Sequence, residues 1–225
     1  MAEKSLAERI QRLEDVHEIS NLVNRYESKL VGGLYDDVVE MFAQKTPGVR
    51  AELINSGVYE NAEGIKKLYG KGGVHEMLQG SSEKGMIPGI MFSQANMHPI
   101  IEVAGDGKTA KGLFLTSGHK TVPIDGKPKA FWLWTKRAYD FVKEDGEWKI
   151  WHYHVYGVFC CPYDKSWADL EDPDVGMGFN KSLLPENLGP DKPTTYHWHY
   201  SPTRAMEYIP KAPEPYETFD ETFSY

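Results

Sequence analysis

The stretch from Lys129 to Cys161 limits the folds open to this chain more than any other. Two long runs rich in aromatic and β-branched residues, Ala130 to Val142 and Trp148 to Cys161, flank the turn residues Glu144-Asp145-Gly146. That pattern predicts an antiparallel hairpin. With strict alternation, Trp148, Ile150, His152, His154, Tyr156 and Val158 share one face, and Trp151, Tyr153 and Val155 share the other. Both faces are then covered, so helices are expected on one side and a partner surface on the other.

The preceding chain supplies the helices. Ser5-Leu-Ala-Glu8 has the form of a capping box, which sets a helix start at its first turn. Leu6, Ile10, Leu13, Val16, Ile19, Val23, Tyr26 and Leu30 follow at steps of three and four and form one apolar stripe until Gly32-Gly33 ends it. A second short helix fits Leu34 to Ala43. A strand fits Val49 to Ile54, closed by Asn55-Ser56-Gly57, and Asn61 is placed to cap a third helix up to Tyr69. Gly70 to Gly89 is glycine-rich and weakly patterned, and reads as a mobile excursion with a turn of helix near His75 to Leu78. Strands from Phe92 to Val103 and Thr109 to Val122 lead into the hairpin. Pro99 lacks a donor, so an edge or a bulge is expected beside His98.

From Tyr163 onward the periodicity ends, while Pro, Tyr and Trp remain frequent. Such ring content is foreign to disorder. We expect one domain over residues 1–162 and an extended arm over 163–225 that docks on the body or on a neighbouring subunit. The chain has 225 residues and a formal net charge of −8, which disfavours nucleic acid and anionic membrane as partners. No apolar run nears the ~20 residues of a membrane span, and the first helix is charged, so a cytoplasmic protein is expected. Cys160 and Cys161 are adjacent; a disulfide between them is strained, and both are expected to be reduced. No dinucleotide glycine motif, HExxH or GxSxG elbow occurs.

The order of helices and strands, with Met97-His98-Pro99 before Ile101-Glu-Val103, the Asp106-Gly-Lys-Thr-Ala110 turn and Asp145-Gly-Glu-Trp-Lys-Ile150, resembles the nuclear transport factor 2-like superfamily, its SnoaL-like branch in particular. The likeness covers about residues 5 to 160. It implies an α+β fold in which a curved antiparallel sheet wraps round N-terminal helices as a cone-shaped half barrel. It also implies dehydration, isomerisation or cyclisation of hydroxylated rings without a cofactor, as in the related scytalone dehydratase, ketosteroid isomerase and bile acid 7α-dehydratase. By position, Tyr26 is similar to the leaving-group tyrosine of the dehydratases and His98 to their histidine base. The place of an acidic residue in the bile acid enzyme is taken by Val31, and a late-strand arginine falls at or near His154.

The expected chemistry is therefore a cofactor-free lyase, a dehydratase acting on a hydroxylated aromatic or polycyclic molecule. His98 and His154 are its candidate acid–base groups, with Tyr26 donating to the leaving group or to an enolate oxygen. An imidazole with an ordinary pKa near ~6.5 is largely a free base at neutral pH. His152, Tyr156, Trp132, Trp134 and Arg137 are candidate substrate contacts, the rings as flat surfaces. An isomerase or carbon–carbon lyase using the same base, and a binding or assembly protein without catalysis, stay open. No metal is expected; His197 and His199 have the spacing of a ligand pair but lack further ligands. A homodimer or homotrimer is expected, because the helices can cover only one apolar face of the hairpin.

Overall fold

A computed structural model describes residues 5–172, 175–179, 183–196 and 199–225. The capping box forms as the sequence requires, with Ser5 Oγ accepting from the Glu8 amide at 3.3 Å and the Ser5 amide donating to Glu8 at 2.7 Å. It starts helix α1 (Leu6–Val31). Only the later part of the apolar stripe is core: Ile19, Val23 and Tyr26 are buried, whereas Leu6, Ile10 and Leu13 are exposed. Helix α2 (Tyr35–Glu40) follows, then strands β1 (Arg50–Leu53) and β2 (Gly57–Glu60). Asn55 at φ 51° and Gly57 at φ 97° turn the chain back on itself. The turn read from sequence as the end of a strand therefore joins two paired strands.

Helix α3 (Asn61–Tyr69) has Glu60 rather than Asn61 at its N-cap position, with no side-chain capping bond. The glycine-rich stretch is no structureless excursion. It holds helix α4 (Val74–Gln79) and the small pair β3 (Gly80–Ser81) and β4 (Gly85–Met86). Gly72, Gly80, Gly85 and Gly89 all take positive φ. The glycines that dilute the helical period are thus turn positions between short elements.

Four long strands complete the fold: β5 (Met91–Val103), β6 (Thr109–Ile124), β7 (Lys127–Glu144) and β8 (Glu147–Pro162). The sheet order is β2-β1-β8-β7-β6-β5, antiparallel except where β1 runs parallel to β8. It is the expected α+β architecture, a large curved sheet open at both edges with the helices on its inner face.

Strict alternation along β8 fails. The pairing shifts between Asp140 and Phe141 and again between Trp134 and Thr135, each time inserting one residue of β8, Trp151 and Val158. A bulge exchanges the faces beyond it. Trp148 and Ile150 thus share the inner face with Tyr153, Val155 and Gly157. His152, His154 and Tyr156 go to the outer face, correcting the single row expected from sequence.

The described arm residues cover that outer face within the same chain. Lys111 of β6, 0% exposed, pairs with Asp140, donates to the carbonyl of Phe223, and has the rings of Phe219, Phe223 and Tyr225 at 5.1, 4.6 and 4.5 Å. Among the described residues no helix is long and apolar enough to cross a membrane.

Candidate active site

The inner face carries several buried hydroxyls and, beside them, the ion pair of Arg137 with Glu27. Tyr26 is held by the last buried turns of α1, and its hydroxyl lies 2.7 Å from that of Tyr69 at the end of α3. Tyr153 meets the Tyr26 ring edge-on at 5.3 Å and stacks on Tyr139 at 4.8 Å. Burial raises Tyr26, Tyr69 and Tyr139 well above the ordinary phenol range, so each stays protonated and keeps a hydroxyl proton that it can donate.

Beside the phenols stands Arg137. Its inward placement follows from the alternation Leu133, Thr135, Arg137, Tyr139 along β7. Arg137 is 4% exposed and forms a two-pronged contact with Glu27 of α1, while one terminal nitrogen also donates to Gln94 of β5. Burial disfavours the guanidinium charge, but Glu27 together with Tyr153 and Tyr139 outweighs it and raises the Arg137 pKa. Among the described residues Arg137 Nε and Gln94 Nε2 have no hydrogen-bond partner. A buried polar group without one costs about 1–3 kcal/mol, and such groups mark places that await a ligand or solvent.

A second titratable group joins this cluster from the glycine-rich stretch. His75 on α4 is 8% exposed and its ring stacks on Tyr69 at 4.9 Å and 14°. Its Nδ1 is 3.0 Å from Gln79 Nε2, whereas its Nε2 has no partner among the described residues. Desolvation pulls its pKa down to about 4. The imidazole is consequently neutral at physiological pH, with one nitrogen uncommitted. Phe179 of the arm meets it edge-on at 6.3 Å.

The residues expected from sequence are not gathered in one place. Tyr26 and Arg137 belong to the inner cluster. His98 lies at the bulge of edge strand β5, where the register breaks between Met97 and Ile100, with φ 49° and an exposed side chain. It makes no hydrogen bond, ion pair or ring contact among the described residues, and is separated from the buried phenols by its exposure. His154 is on the outer face, with Nε2 3.3 Å from Glu52 Oε1 and its ring stacked on Tyr156 at 3.8 Å. Tyr156 in turn meets Tyr196 of the arm. Trp132 stacks on Tyr163 at 5.8 Å and Trp134 on Phe159 at 5.9 Å, both on the outer face. These contacts belong to the sheet's packing under the arm and do not face Tyr26.

His152 is also outer, and its setting has the composition of a nucleophile triad. Its Nδ1 is 2.8 Å from Asp140 Oδ2 and 2.9 Å from Ser224 Oγ. Both partners share one ring nitrogen, whereas a relay needs the base and its orienting acid on different nitrogens. The cluster therefore anchors the arm, aided by Arg50, which donates to the carbonyl of Tyr225 at 2.6 Å. His199 lies between Asn55 and the Gly157 carbonyl; His197 falls outside the described residues. Among the described residues no group of three or more His, Cys, Asp or Glu is arranged to hold a metal.

Sequence reasoning missed His75, Tyr69, Glu27 and Gln94. Glu27 had a signal, since it follows Val23 by four positions and puts a charge beside an apolar stripe. His75 had none, because its helix is six residues long and framed by glycines.

Known proteins share this architecture. A protein of Novosphingobium aromaticivorans assigned as a scytalone dehydratase superposes with TM-score 0.54 at 13% identity, covering 70% of this chain and 93% of its own. The hexachlorocyclohexane dehydrochlorinase LinA-type3 of Novosphingobium barchaimii gives 0.53 at 11% identity, covering 70% and 96%. An NTF2-like family protein of Streptomyces avermitilis assigned as a dehydratase gives 0.51 at 13%, covering 65% and 98%. At these identities the likeness concerns the fold. No curated protein matches the chain in sequence. The family model for the SnoaL-like domain matches residues 11–154, from within the first helix to the middle of the fourth long strand, and the chain belongs to that family.

Proposed function

We propose that this protein is a cofactor-independent lyase that eliminates a leaving group from a small cyclic substrate, a dehydratase in the simplest case, with His75 as its base. The observation that carries the reading is a buried imidazole whose Nε2 has no partner among the described residues, stacked on one of two hydrogen-bonded phenols. Dehydratases and a dehydrochlorinase among the structural neighbours support elimination as the reaction class.

In this mechanism His75 Nε2 takes a proton from carbon next to the departing group. The Tyr26–Tyr69 pair donates to the leaving oxygen or to a developing enolate, a role that gains strength in a dry site. Arg137, fixed by Glu27 and Gln94, supplies positive potential on the same face. Because rings fill the interior, the substrate enters by displacing Phe179 of the arm. The assay must read chemistry and not binding alone. Screening hydroxylated aromatic and steroid-like compounds for a change in ultraviolet absorbance tests this. A hit should lose most of its turnover in Tyr26→Phe, which removes only a hydroxyl. Turnover equal to the parent in that variant contradicts the assigned site.

A further inference from the structure

Another charged group of the inner face, Lys120, is not used by the elimination. Lys120 of β6 is 4% exposed and lies opposite Phe131 in the β6–β7 pairing. Its ammonium sits 5.5 Å from the Phe131 ring centre and donates to the backbone carbonyl of Gly176 in the arm. No acidic side chain among the described residues pairs with it. Its ionisable neighbour is Cys160, whose thiol burial pushes up to about 11 against the pull of Lys120, so no thiolate balances the charge at neutral pH. Lysine is almost never buried without a counter-charge. Burial accordingly lowers the Lys120 pKa. A neutral carbonyl is a weak partner for such a group; a carboxylate is the strong one.

The segment that supplies this carbonyl is fitted into a groove. Gly176 and Gly178 take φ 69° and 68°. A Cβ on Gly176 comes within 2.9 Å of Phe131 and 3.0 Å of Cys160 Sγ, and one on Gly178 within 2.3 Å of the Ile54 carbonyl. Met177 between them is 8% exposed. Phe179 then donates its amide to Ser56 Oγ at 3.2 Å and brings its ring to His75. One short segment thus touches the buried ammonium at one end and the uncommitted imidazole at the other. Three residue steps span at most about 11 Å of extended chain, and less through two turns. An arylalkanoic acid of one or two rings has that reach.

We propose that the groove filled by Gly176–Phe179 is a binding subsite for an aromatic carboxylic acid, its carboxylate paired with Lys120 and its ring taking the place of Phe179. This names a substrate class for the lyase described above, and rests on that reading only in setting the ring beside His75. The Gly176 carbonyl and the Phe179 ring hold the place of the ligand when it is absent.

Benzoate, phenylacetate and 3-phenylpropionate serve as probes, with 3-phenylpropionamide as the uncharged control. Affinity is measured by calorimetry and the segment's exposure by amide hydrogen exchange on the full-length protein. The acid of best length is expected to bind at least ten times tighter than the amide and to speed exchange at Phe179, whose bond to Ser56 is given up. Lys120→Met should fold, since it removes a buried unpaired charge and keeps the stem, and should weaken the acid about 10- to 100-fold while leaving the amide unchanged. The proposal is overturned if none of the acids binds, if Lys120→Met binds them as well as the parent, or if exchange at Phe179 does not respond. Because binding is read without turnover, Lys120-dependent binding with no elimination of any substrate leaves the subsite standing and removes the lyase reading. His75-dependent turnover that ignores Lys120→Met does the reverse.

Discussion

Glu27→Gln should destabilise the protein far more than a single substitution near a helix end usually does. Glu27 is 13% exposed in its side chain and faces Arg137, which is 5% exposed there. The substitution preserves volume and removes only the charge. The guanidinium is then left buried with neutral acceptors from Gln94 and the new amide. Breaking a buried ion pair from one side costs about 3–5 kcal/mol. An amide oxygen still accepts one hydrogen bond, so the lower end, about 3 kcal/mol, is expected. For a chain of this size 1 kcal/mol moves the melting temperature by roughly 2–4 °C, giving a drop of about 6–12 °C. Circular dichroism melts of the parent, Glu27→Gln, Arg137→Met and the double variant provide the measurement. The double variant should recover most of the loss, because no charge remains buried. The drop should persist in 0.5 M salt, since buried pairs are little screened. A fall under about 2 °C for Glu27→Gln, or no recovery in the double variant, refutes the buried pair.

Three further outcomes follow from the same structure. His75 has a folded pKa of about 4 against ~6.5 when unfolded, so between those values the unfolded chain binds the extra proton. Stability should therefore fall as pH drops from about 6.5 to 4, by about 3 kcal/mol from this group, and denaturant titrations of His75→Gln should show a flatter loss over that window. Lys111→Met leaves Asp140 buried without its ammonium and removes the centre of the Phe219, Phe223 and Tyr225 cage; limited proteolysis should then cut the segment 219–225 faster, whereas an unchanged rate contradicts the anchoring role. Self-association is expected through the exposed Leu6, Ile10 and Leu13, as the arm covers the outer sheet face; light scattering should give a mass of two or three chains that falls in Leu6→Glu with Leu13→Glu, and a monomeric parent rules this out.

The legible parts of the fold were those in which one local rule extends over many residues. The capping box, the α1 stripe and the Asp145-Gly146 hairpin could be read directly, because propensity, turn chemistry and period agree there. Register was not legible. A single-residue bulge at Trp151 moved His152 and His154 to the outer face, and nothing in an unbroken run of aromatic and β-branched residues marks where a residue will be looped out. The bulge at His98 was legible from Pro99, but its effect was to leave the imidazole at an exposed edge. Tyr26 and Arg137 were found because each stands in a periodic row. His75 and Lys120 were hidden, the first among turn glycines and the second by a partner 56 residues away in an arm without periodicity.

In the proposed mechanism the base is His75 inside the cone and not His98 at its edge. Turnover and melting temperature are to be measured on the same samples of His75→Gln and His98→Gln, with a substrate found by the absorbance screen. Glutamine keeps hydrogen-bonding capacity and cannot exchange a proton near neutral pH. His75→Gln is expected to stay folded and lose about 10²- to 10⁴-fold in turnover, the usual contribution of general acid–base catalysis, while His98→Gln matches the parent. A folded His75→Gln that keeps full turnover, with the loss appearing in His98→Gln instead, contradicts the account.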